Sequence, residues 1–386
     1  MKYKPFKKLK LSTLGMGNMR LPVTGDKNID EARAQEMIDF AMESGVNYYD
    51  TAYRYHGGQS ELFIGKALAK YPRDSWYLAS KMPGHMMEYV DGKLAFKGYL
   101  SGSTIENISE IFEDQLKRCQ VDYFDFYLLH NVCETSFDFY TNEEVGVVKY
   151  LMEQKAAGRI RHLGFSSHGS AATIEKFLDK YDCFEFCQIQ LNYMDWTLQD
   201  ACAKYELLTE RGIPVVVMEP VRGGKLTNLP AKARAVMENA APGMTEAAWA
   251  LKYLQRLPNV QVVLSGMSSM EQLTENIALF SDPKPLDDAQ LKALDDVLAT
   301  MLDSGPCTAC RYCCDVCPAG LDIPNLIGMY NQAKIDGMGT LKFNMGKMKP
   351  EELPSACLEC GACASVCPQN IEIPKVLKDF DELMKK

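Results

Sequence analysis

Short apolar stretches alternate with longer amphipathic stretches between about residue 11 and residue 280. The short stretches are rich in β-branched and aromatic residues, and the longer ones place apolar residues at helical spacing. This alternation predicts βα units around a parallel sheet, and eight units predict a closed (β/α)8 barrel of the α/β class. The predicted strands lie near residues 13–16, 46–49, 76–80, 123–129, 160–165, 187–191, 214–218 and 261–264.

The pattern changes after the eighth predicted unit. Pro283 and Pro285 end the last barrel helix, and residues 287–301 form one more amphipathic pattern before a short polar linker. A cysteine-rich tail with an internal repeat follows. The predicted domains are therefore a barrel over residues 1–285, a helix and linker over 286–306, and a small α+β domain over 307–386.

The composition and net charge of the chain limit the kinds of partner that it can bind. The chain has 386 residues, which is too long for one ordinary core, and 47% of them are hydrophobic and 24% charged, as in globular proteins. A formal charge of −9 argues against nucleic acid or an anionic membrane as the main partner. No apolar stretch is long enough to cross a bilayer, and we expect a cytoplasmic protein.

Two cysteine runs carry the most specific signal in the chain. Each has the spacing C-x2-C-x2-C-x3-C followed by proline, which is the run that binds 4Fe-4S clusters in bacterial ferredoxins. Structural zinc and free thiols are the alternatives, but zinc ribbons rarely use a third cysteine at this spacing followed by a fourth and proline. The tail is therefore predicted to bind two 4Fe-4S clusters. The eight predicted ligands are Cys307, Cys310, Cys313, Cys317, Cys357, Cys360, Cys363 and Cys367.

The resemblance to two-cluster ferredoxins implies how the ligands are shared. In those proteins the fourth cysteine of each run serves the other cluster. Cys367 would then complete the first cluster, and Cys317 would complete the second. Cys314 is left over. It could replace Cys313 as a ligand or remain a free thiol, and the regular spacing favours the free thiol.

Polar side chains follow the second, third and fourth predicted strands. Asp50 and Tyr55 come after the second strand, Lys81 after the third and His130 after the fourth. Residues at the carboxyl ends of barrel strands converge over the mouth, where a carbonyl oxygen could be polarised and protonated. A tyrosine can serve as the proton donor when a nearby cation lowers its pKa.

These four residues match, in identity and order, the Asp-Tyr-Lys-His tetrad of the aldo/keto reductase family, which the sequence resembles from about residue 10 to residue 280. The resemblance implies an oxidoreductase in which Tyr55 is the general acid for carbonyl reduction by a nicotinamide hydride. Lys81, paired with Asp50, would lower the pKa of Tyr55, and His130 would orient the oxygen of a small carbonyl or alcohol substrate. The long connection 82–102 is either a lid or a surface excursion.

The same resemblance assigns nicotinamide contacts. Ser166 and Gln188 would bind the carboxamide, and Ser167 stands where the family usually has asparagine. Met218 occupies the position at which the family commonly stacks an aromatic ring on the nicotinamide.

The predicted adenosine side follows strand eight. The family usually places a lysine or arginine there for the 2′-phosphate of NADPH, but the run from Ser265 and Gly266 to Asn276 has no cation. A helix N-terminus at Ser268 would still attract a phosphate, and Glu275 with Asn276 matches the adenine-side pair. NAD(P)H is the implied cofactor.

A barrel followed by a two-cluster module resembles the ferredoxin-fused branch of this family. Nicotinamides deliver two electrons as hydride, whereas each cluster carries one, so direct exchange between them is unfavourable without an intermediary. Three hypotheses follow: a nicotinamide-dependent reductase with clusters as an electron port, a reductase fed single electrons through a flavin or a redox protein partner, and an idle barrel with a carrier tail. The intact tetrad disfavours the third. The missing cation and aromatic ring shift weight from the first toward the second, but the first remains the predicted function and the second the alternative.

Overall fold

The barrel prediction is confirmed. The computed structural model describes residues 1–97, 104–301, 307, 311–339, 341, 345–346, 348–367 and 370–385. Eight parallel strands close into one barrel in the order β3-β4-β5-β9-β10-β11-β12-β13. Their bounds are Leu14–Gly17 (β3), Tyr48–Asp50 (β4), Tyr77–Met82 (β5), Phe124–Leu129 (β9), Ile160–Ser167 (β10), Cys187–Gln190 (β11), Val215–Met218 (β12) and Val260–Ser265 (β13).

Helices connect the strands, as expected for successive βα units. Every residue of β9 is buried, which accounts for its nearly continuous apolar sequence. The helices of this part of the chain are Glu31–Glu43 (α1), Gln59–Leu68 (α2), Ile108–Cys119 (α3), Phe137–Thr141 (α4), Val147–Ala156 (α5), Ala171–Lys180 (α6), Asp195–Leu198 (α7), Ala201–Glu210 (α8), Ala231–Ala240 (α9), Glu246–Gln255 (α10), Met270–Ser281 (α11) and Asp288–Met301 (α12).

An N-terminal hairpin packs at the end of the barrel where the strands begin. It consists of β1 (Tyr3–Phe6) and β2 (Leu9–Ser12), paired antiparallel. The Phe6 ring lies 5.4 Å from that of Phe126 and 6.2 Å from that of Phe186, between ring centroids. Apolar packing therefore fills this end, and the polar strand ends lie at the opposite end.

The long connection after β5 contains a small antiparallel sheet. Its strands are β6 (Met87–Val90), β7 (Lys93–Phe96) and β8 (Thr104–Ile105). Phe96 is buried and stacks on Tyr53, with ring centroids 6.1 Å apart and planes 7° from parallel. Residues 98–103 of this connection lie outside the described residues. A lid function for it stays a prediction.

The chain divides into two compact units. The first comprises residues 1–192, 202–227 and 247–286, and the second comprises 193–201, 228–246 and 287–386. Within the second unit, α9 packs against α12. The predicted domain boundaries at residues 285 and 306 stay predictions.

The described parts of the tail are helical and repeat one pattern. A short helix, Tyr312–Asp315 (α13), precedes a longer one, Ile323–Asp336 (α14), and Ala362–Ser365 (α15) precedes Ile373–Met384 (α16) in the same way. Both long helices begin with an Ile-Pro pair. The tail has its own apolar core, whose most buried residues are Ile323, Leu326, Ile327, Ile373, Leu377 and Phe380. Among the described residues of the whole chain, no helix is both long and apolar enough to span a bilayer.

Candidate active site and cluster ligands

A buried ion pair lies at the centre of the barrel mouth. The Lys81 Nζ donates to Asp50 Oδ1 at 2.6 Å and to the Thr51 carbonyl at 2.8 Å. The two charged side chains are 0% and 3% exposed. Neighbouring strands β4 and β5 carry them, with Asp50 opposite Ala79 in the register. Burial alone would lower the pKa of Lys81, but Asp50 and Tyr55 raise it above 10.5 on balance, so the lysine carries a proton.

Tyr55 lies next to this ion pair. The Lys81 Nζ is 3.4 Å from Tyr55 Oη and 4.9 Å from the centre of its ring. Burial raises the pKa of Tyr55 above 10.0, and the Lys81 ammonium opposes that increase. The ammonium therefore acts in the predicted direction, but burial outweighs it and the phenol stays protonated.

His130 completes the group. Its ring lies edge-on to that of Tyr55, with centroids 6.0 Å apart. Burial lowers the pKa of His130 well below 6.5, and the charge of Lys81 acts in the same direction. His130 is therefore a neutral imidazole, which can donate a hydrogen bond from one nitrogen and accept one at the other. The structure thus brings all four predicted tetrad residues together.

A buried polar network lies next to Lys81 and contacts its backbone. Glu61 is fully buried and accepts hydrogen bonds from Ser80 Oγ and Gln115 Nε2, both at 2.6 Å. Gln115 also bonds to the Lys81 carbonyl at 3.1 Å. Arg118 pairs with Glu61 at 2.9 Å and bonds to the Gly58 carbonyl of the turn that contains Tyr55. One network therefore connects the turn, strand β5 and helix α3.

Tyr140 joins the ends of two strands. Its hydroxyl lies 3.0 Å from the carbonyl of Met82 and 2.7 Å from that of His130. Its ring packs directly over Gly84, where any side chain would overlap it. Strands β5 and β9 are thus held at a fixed spacing where they deliver Lys81 and His130.

The predicted carboxamide contacts lie on β10 and β11, and the predicted stacking residue Met218 lies on β12. Ser166, Ser167 and Gln188 are each 1% exposed. Ser166 Oγ accepts the Asn131 N–H at 2.8 Å, which leaves its own proton to donate. Gln188 Nε2 bonds to the Met218 sulfur at 3.5 Å, and its buried Oε1 has no hydrogen-bond partner in the described structure. An unpaired buried acceptor suits the N–H of a carboxamide.

Unlike the Ser166 hydroxyl, the Ser167 hydroxyl both donates and accepts hydrogen bonds within the protein. Its Oγ donates to the Val132 carbonyl at 2.6 Å and accepts the Gly169 N–H at 3.0 Å. These bonds lie within the protein and hold the turn after β10. Ser167 therefore has little hydrogen-bonding capacity left for a cofactor.

The helix N-terminus predicted at Ser268 lies one residue further along the chain. Helix α11 starts at Met270, and its N-cap is Ser269. Ser268 instead bonds within the protein, its backbone N–H to Gln272 Oε1 at 2.8 Å and its Oγ to the Arg20 carbonyl at 2.6 Å. The prediction of a helix N-terminus at Ser268 is therefore wrong, because Gln272 folds back to occupy the N–H.

Other residues of the run 265–276, which follows the eighth barrel strand, are also held by contacts within the protein. Asn276 Nδ2 donates to Ser265 Oγ at 2.9 Å, and both side chains are buried. Glu275 precedes Asn276 on the same helix and is partly exposed. Gly266 lies against Arg20, since a Cβ added to it would be 2.8 Å from Arg20 Cγ. Arg20, in the loop after β3, lies 248 positions before Ser268 in the chain, so its contacts with this run could not be read from the sequence.

Four thiols surround one cavity in the tail. The cavity is lined by Cys317, Cys357, Cys360 and Cys363, together with Pro318, Leu321, Leu358 and Pro374. This set is the one predicted for the second cluster, including the cysteine from the other run. Among the described residues no three metal-binding side chains are grouped to hold a single ion. A 4Fe-4S cluster instead takes four separate thiolates, which fits this lining.

The first predicted ligand set is described only in part. Cys310 lies outside the described residues. Cys313 is buried, and burial together with the neighbouring Cys314 and Cys307 thiols raises its pKa to about 12. Cys367 is partly buried against the tail core. Cys314 is therefore next to a predicted ligand, but its role stays a prediction.

Sequence reasoning missed two polar residues at the barrel mouth. His85 lies in the turn after β5, and its ring centroid is 4.4 Å from that of His130. Glu219 follows β12 with a left-handed backbone, φ 57°, and its charge contributes to the raised pKa of Tyr55. Glu219 directly follows β12 and His85 stands three residues after the end of β5, so a search of every strand end for polar side chains would have found them.

Known proteins share the barrel. The chain is 29% identical over 308 residues to the uncharacterized oxidoreductase YqkF of Bacillus subtilis, covering 74% of this chain and 92% of that protein. It is 27% identical over 303 residues to an NADH-specific methylglyoxal reductase of Escherichia coli, covering 69% and 89%. The solved structure of the aldo-keto reductase AKR11C1 from Bacillus halodurans in its holo form superposes with a TM-score of 0.61 at 27% identity, covering 77% of this chain and 96% of that one.

Family models cover both parts of the chain. The model of the 4Fe-4S dicluster domain matches residues 306–372. The model of the Aldo/keto reductase family matches residues 13–299. The protein therefore belongs to the aldo/keto reductase family and is an oxidoreductase with a C-terminal 4Fe-4S dicluster domain.

Proposed function

We propose that the barrel interconverts a small-molecule carbonyl compound and its alcohol, using a nicotinamide cofactor and Tyr55 as the general acid. The observation that supports this most strongly is the placement of the Lys81 ammonium, 2.6 Å from Asp50 Oδ1 and 3.4 Å from Tyr55 Oη. A buried lysine held by a carboxylate and directed at a phenol suits proton donation to an oxygen that gains charge.

In the direction of reduction, Tyr55 donates its Oη proton to the carbonyl oxygen as the carbonyl carbon receives hydride. A reduced nicotinamide, when bound, would supply that hydride. Lys81 stabilises the phenolate that Tyr55 becomes, since its charge is fixed within hydrogen-bond range of the oxygen. Asp50 keeps the ammonium in place and protonated. In the direction of oxidation, the phenolate accepts the alcohol proton.

The neutral His130 would donate a hydrogen bond to the same carbonyl oxygen. The backbone carbonyl of His130 bonds to the Tyr140 hydroxyl. This bond fixes the backbone from which the imidazole extends towards Tyr55. A neutral donor orients the substrate oxygen without competing with Tyr55 as the acid.

The residues at the mouth fit a nicotinamide. Gln188 Oε1 is buried and unpaired, and the Ser166 hydroxyl has a free proton. Met218 would lie where the family places an aromatic ring. On the adenosine side, only the aliphatic stem of Arg20 lies against Gly266, and its guanidinium Nη2 lies near Gly223 instead. We propose NADH as the better cofactor, as for the NADH-specific relative, because no cation lies in the run itself.

A comparison of the wild type with Tyr55→Phe tests this function. The wild type should oxidise NADH or NADPH when a small aldehyde is added, and we expect Tyr55→Phe to reduce turnover by a factor of roughly 100 to 10,000. Tyr3→Phe serves as the control, since Tyr3 lies on the N-terminal hairpin and is 41% exposed. Full turnover in Tyr55→Phe, with iron content unchanged, would remove the tyrosine from the mechanism.

A second candidate is that the tail feeds single electrons to a flavin or a substrate in the barrel, with a redox protein as the partner. The cavity with four thiols supports it, because 4Fe-4S clusters transfer one electron at a time. The test is the visible spectrum of anaerobic, cluster-loaded protein before and after addition of NADH, with released flavin assayed. Bleaching with flavin present would support one electron path; no bleaching and no flavin would separate the two chemistries and require an external electron partner.

A further inference from the structure

The segment that follows strand β11 belongs to the same compact unit as the tail. Strand β11 ends at Gln190, and the chain enters the second unit at Tyr193. That unit also contains residues 287–386, the tail among them. We call residues 193–201, which include helix α7, the β11 segment. A piece of the barrel sequence and the cysteine-rich tail are therefore packed together.

A glycine of the tail sets the contact between them. Helix α7 packs against helix α14 of the tail. Gly328, on α14, lies next to the last residue of α7, since a Cβ added to Gly328 would be 3.6 Å from the Leu198 carbonyl oxygen. A methyl group fits at that distance, whereas a longer side chain would push the two helices apart. The missing side chain at Gly328 therefore allows their close approach.

The β11 segment is buried for much of its length. Tyr193, Met194 and Asp195 are each 2% exposed or less. The Leu198 N–H bonds to the Met194 carbonyl at 3.1 Å, which closes the turn of α7. Close-packed interiors transmit displacements from one element to the next. A shift of α14 would therefore be passed to this segment.

The residues just before the segment belong to the proposed nicotinamide site. Asn192 is fully buried, and its Nδ2 donates to the Glu219 carbonyl at 3.0 Å. The Leu191 N–H bonds to the Met218 carbonyl at 3.2 Å. These two bonds join the end of β11 to the end of β12, close to Gln188 along the chain. The β11 segment thus continues directly from the strand ends that would hold the nicotinamide.

Helix α14 is tied to the cysteines at its other face. It begins at Ile323, six residues after Cys317. Its residues Ile323 and Leu326 are buried in the tail core, which also contains Cys313 and Cys363. Metal binding contributes directly to the folding of small metal-binding domains. Bound clusters would therefore fix the position of α14.

We propose that cluster occupancy regulates nicotinamide affinity. With the clusters bound, α14 holds the β11 segment in place, and the segment holds Gln188 and Met218 in the binding position. Without them, nicotinamide binding must also order the segment, which lowers the affinity. This inference rests on the proposed function, in which the barrel binds a nicotinamide.

The test measures the dissociation constant of NAD⁺, which cannot reduce oxidised clusters, by isothermal titration calorimetry. The wild type is compared after anaerobic cluster loading and after removal of its iron by a chelator. We expect the iron-free protein to bind NAD⁺ roughly 5-fold more weakly, or weaker still. Circular dichroism should show an intact barrel in both forms.

Substitutions of Gly328 test the route. Cluster-loaded Gly328→Leu should bind NAD⁺ as weakly as the iron-free wild type while it keeps its full iron content. Gly328→Ala should bind like the wild type, because a methyl group fits. Gly339→Leu is the matched control on the tail and should also bind like the wild type, since a Cβ added to Gly339 meets nothing within 4 Å.

The possible results separate this inference from the proposed function. No binding of NAD⁺ by the loaded wild type would contradict the proposed function itself. Equal dissociation constants for the loaded and iron-free wild type would overturn only the coupling. Unfolding of the barrel on iron removal would also overturn it, because the clusters would then support the whole fold. Wild-type affinity in Gly328→Leu, or loss of its iron, would overturn the α7–α14 contact as the route.

Discussion

The barrel mouth and the cysteine tail organise reactive groups in different ways. At the mouth, Lys81 and Asp50 are almost fully buried and bond to each other at 2.6 Å. In the tail, Cys360 is exposed, and Cys317, Cys357 and Cys367 are partly exposed. The protein alone therefore fixes the geometry of the first site, whereas the thiols of the second surround a space that a cluster would fill.

This difference has a physical cause. Charges in a barrel are costly to bury, so each must be paired and each partner must be held by further hydrogen bonds. The Glu61 network and Tyr140 supply those bonds. Thiolates that bind iron are held by the metal itself, so their positions depend mainly on sequence spacing. The mouth should therefore be sensitive to distant packing changes, and the tail to loss of single ligands.

The largest effect should follow from breaking the ion pair at the mouth. Lys81→Met leaves the Asp50 carboxylate buried without its cation, so the free energy of unfolding should fall by about 3 to 5 kcal/mol. Carbonyl reduction should also fall by a factor of roughly 100 or more, because Tyr55 loses its charged neighbour. Urea denaturation followed by circular dichroism, and NADH oxidation, are the measurements.

The matched control is Lys66→Met. Lys66 pairs with Glu31 at the surface, where the two side chains are 66% and 56% exposed. Its loss should change stability by less than about 1 kcal/mol. A Lys81→Met protein as stable as this control would contradict the buried pair as the centre of the site.

Loss of one cysteine ligand should reduce the iron bound by the tail without affecting the ion pair at the barrel mouth. Cys360→Ala should lose about half of the bound iron, because one of two clusters loses a ligand. Cys314→Ala should keep all of it, since Ala364 occupies the equivalent position in the second run. Iron and sulfide analysis of anaerobically loaded protein measures both. Full iron in Cys360→Ala, or loss of iron in Cys314→Ala, would reverse the ligand assignment.

A smaller effect should follow from adding one methyl group behind the mouth. Gly84→Ala would force the new Cβ against Tyr140 and to within 2.9 Å of Phe139 Cδ1. We expect it to cost about 1 to 3 kcal/mol of stability and to lower turnover, because Tyr140 positions His130. Gly25→Ala is the control, since its added Cβ meets nothing within 4 Å. Equal stability of the two variants would show that the packing at Gly84 can relax.

The smallest expected change is the response to pH. His130 has a pKa well below 6.5, and the pKa of Tyr55 is above 10.0. Neither group should titrate between about pH 6 and pH 8, so kcat/KM for reduction should be flat there. Stability behaves differently, because a lowered histidine pKa means that the unfolded state binds the proton first. The contribution of His85 and His130 to stability should be complete above about pH 6.5 and fall at lower pH. An inflection of activity near pH 6.5 would contradict a neutral His130.

Strand placement could be predicted because most residues of the barrel strands are buried and many of them are apolar. The predicted strand at 123–129, for example, is observed at Phe124–Leu129. Helix starts were less predictable. Ser268 and Ser269 both qualify as N-caps, and only the bond from the Ser268 N–H to Gln272 decides between them. Competing local hydrogen bonds of similar strength cannot be ranked from sequence.

The sequence by itself determined the barrel, the tetrad and the two cluster runs, because each is a repeated or spaced pattern whose physics is local. The tertiary structure alone decided which residues surround them. It placed Arg20 beside Gly266, His85 beside His130, and Glu61 behind Lys81. These contacts join separate strand ends and loops, and closing the barrel is what brings such segments to one mouth.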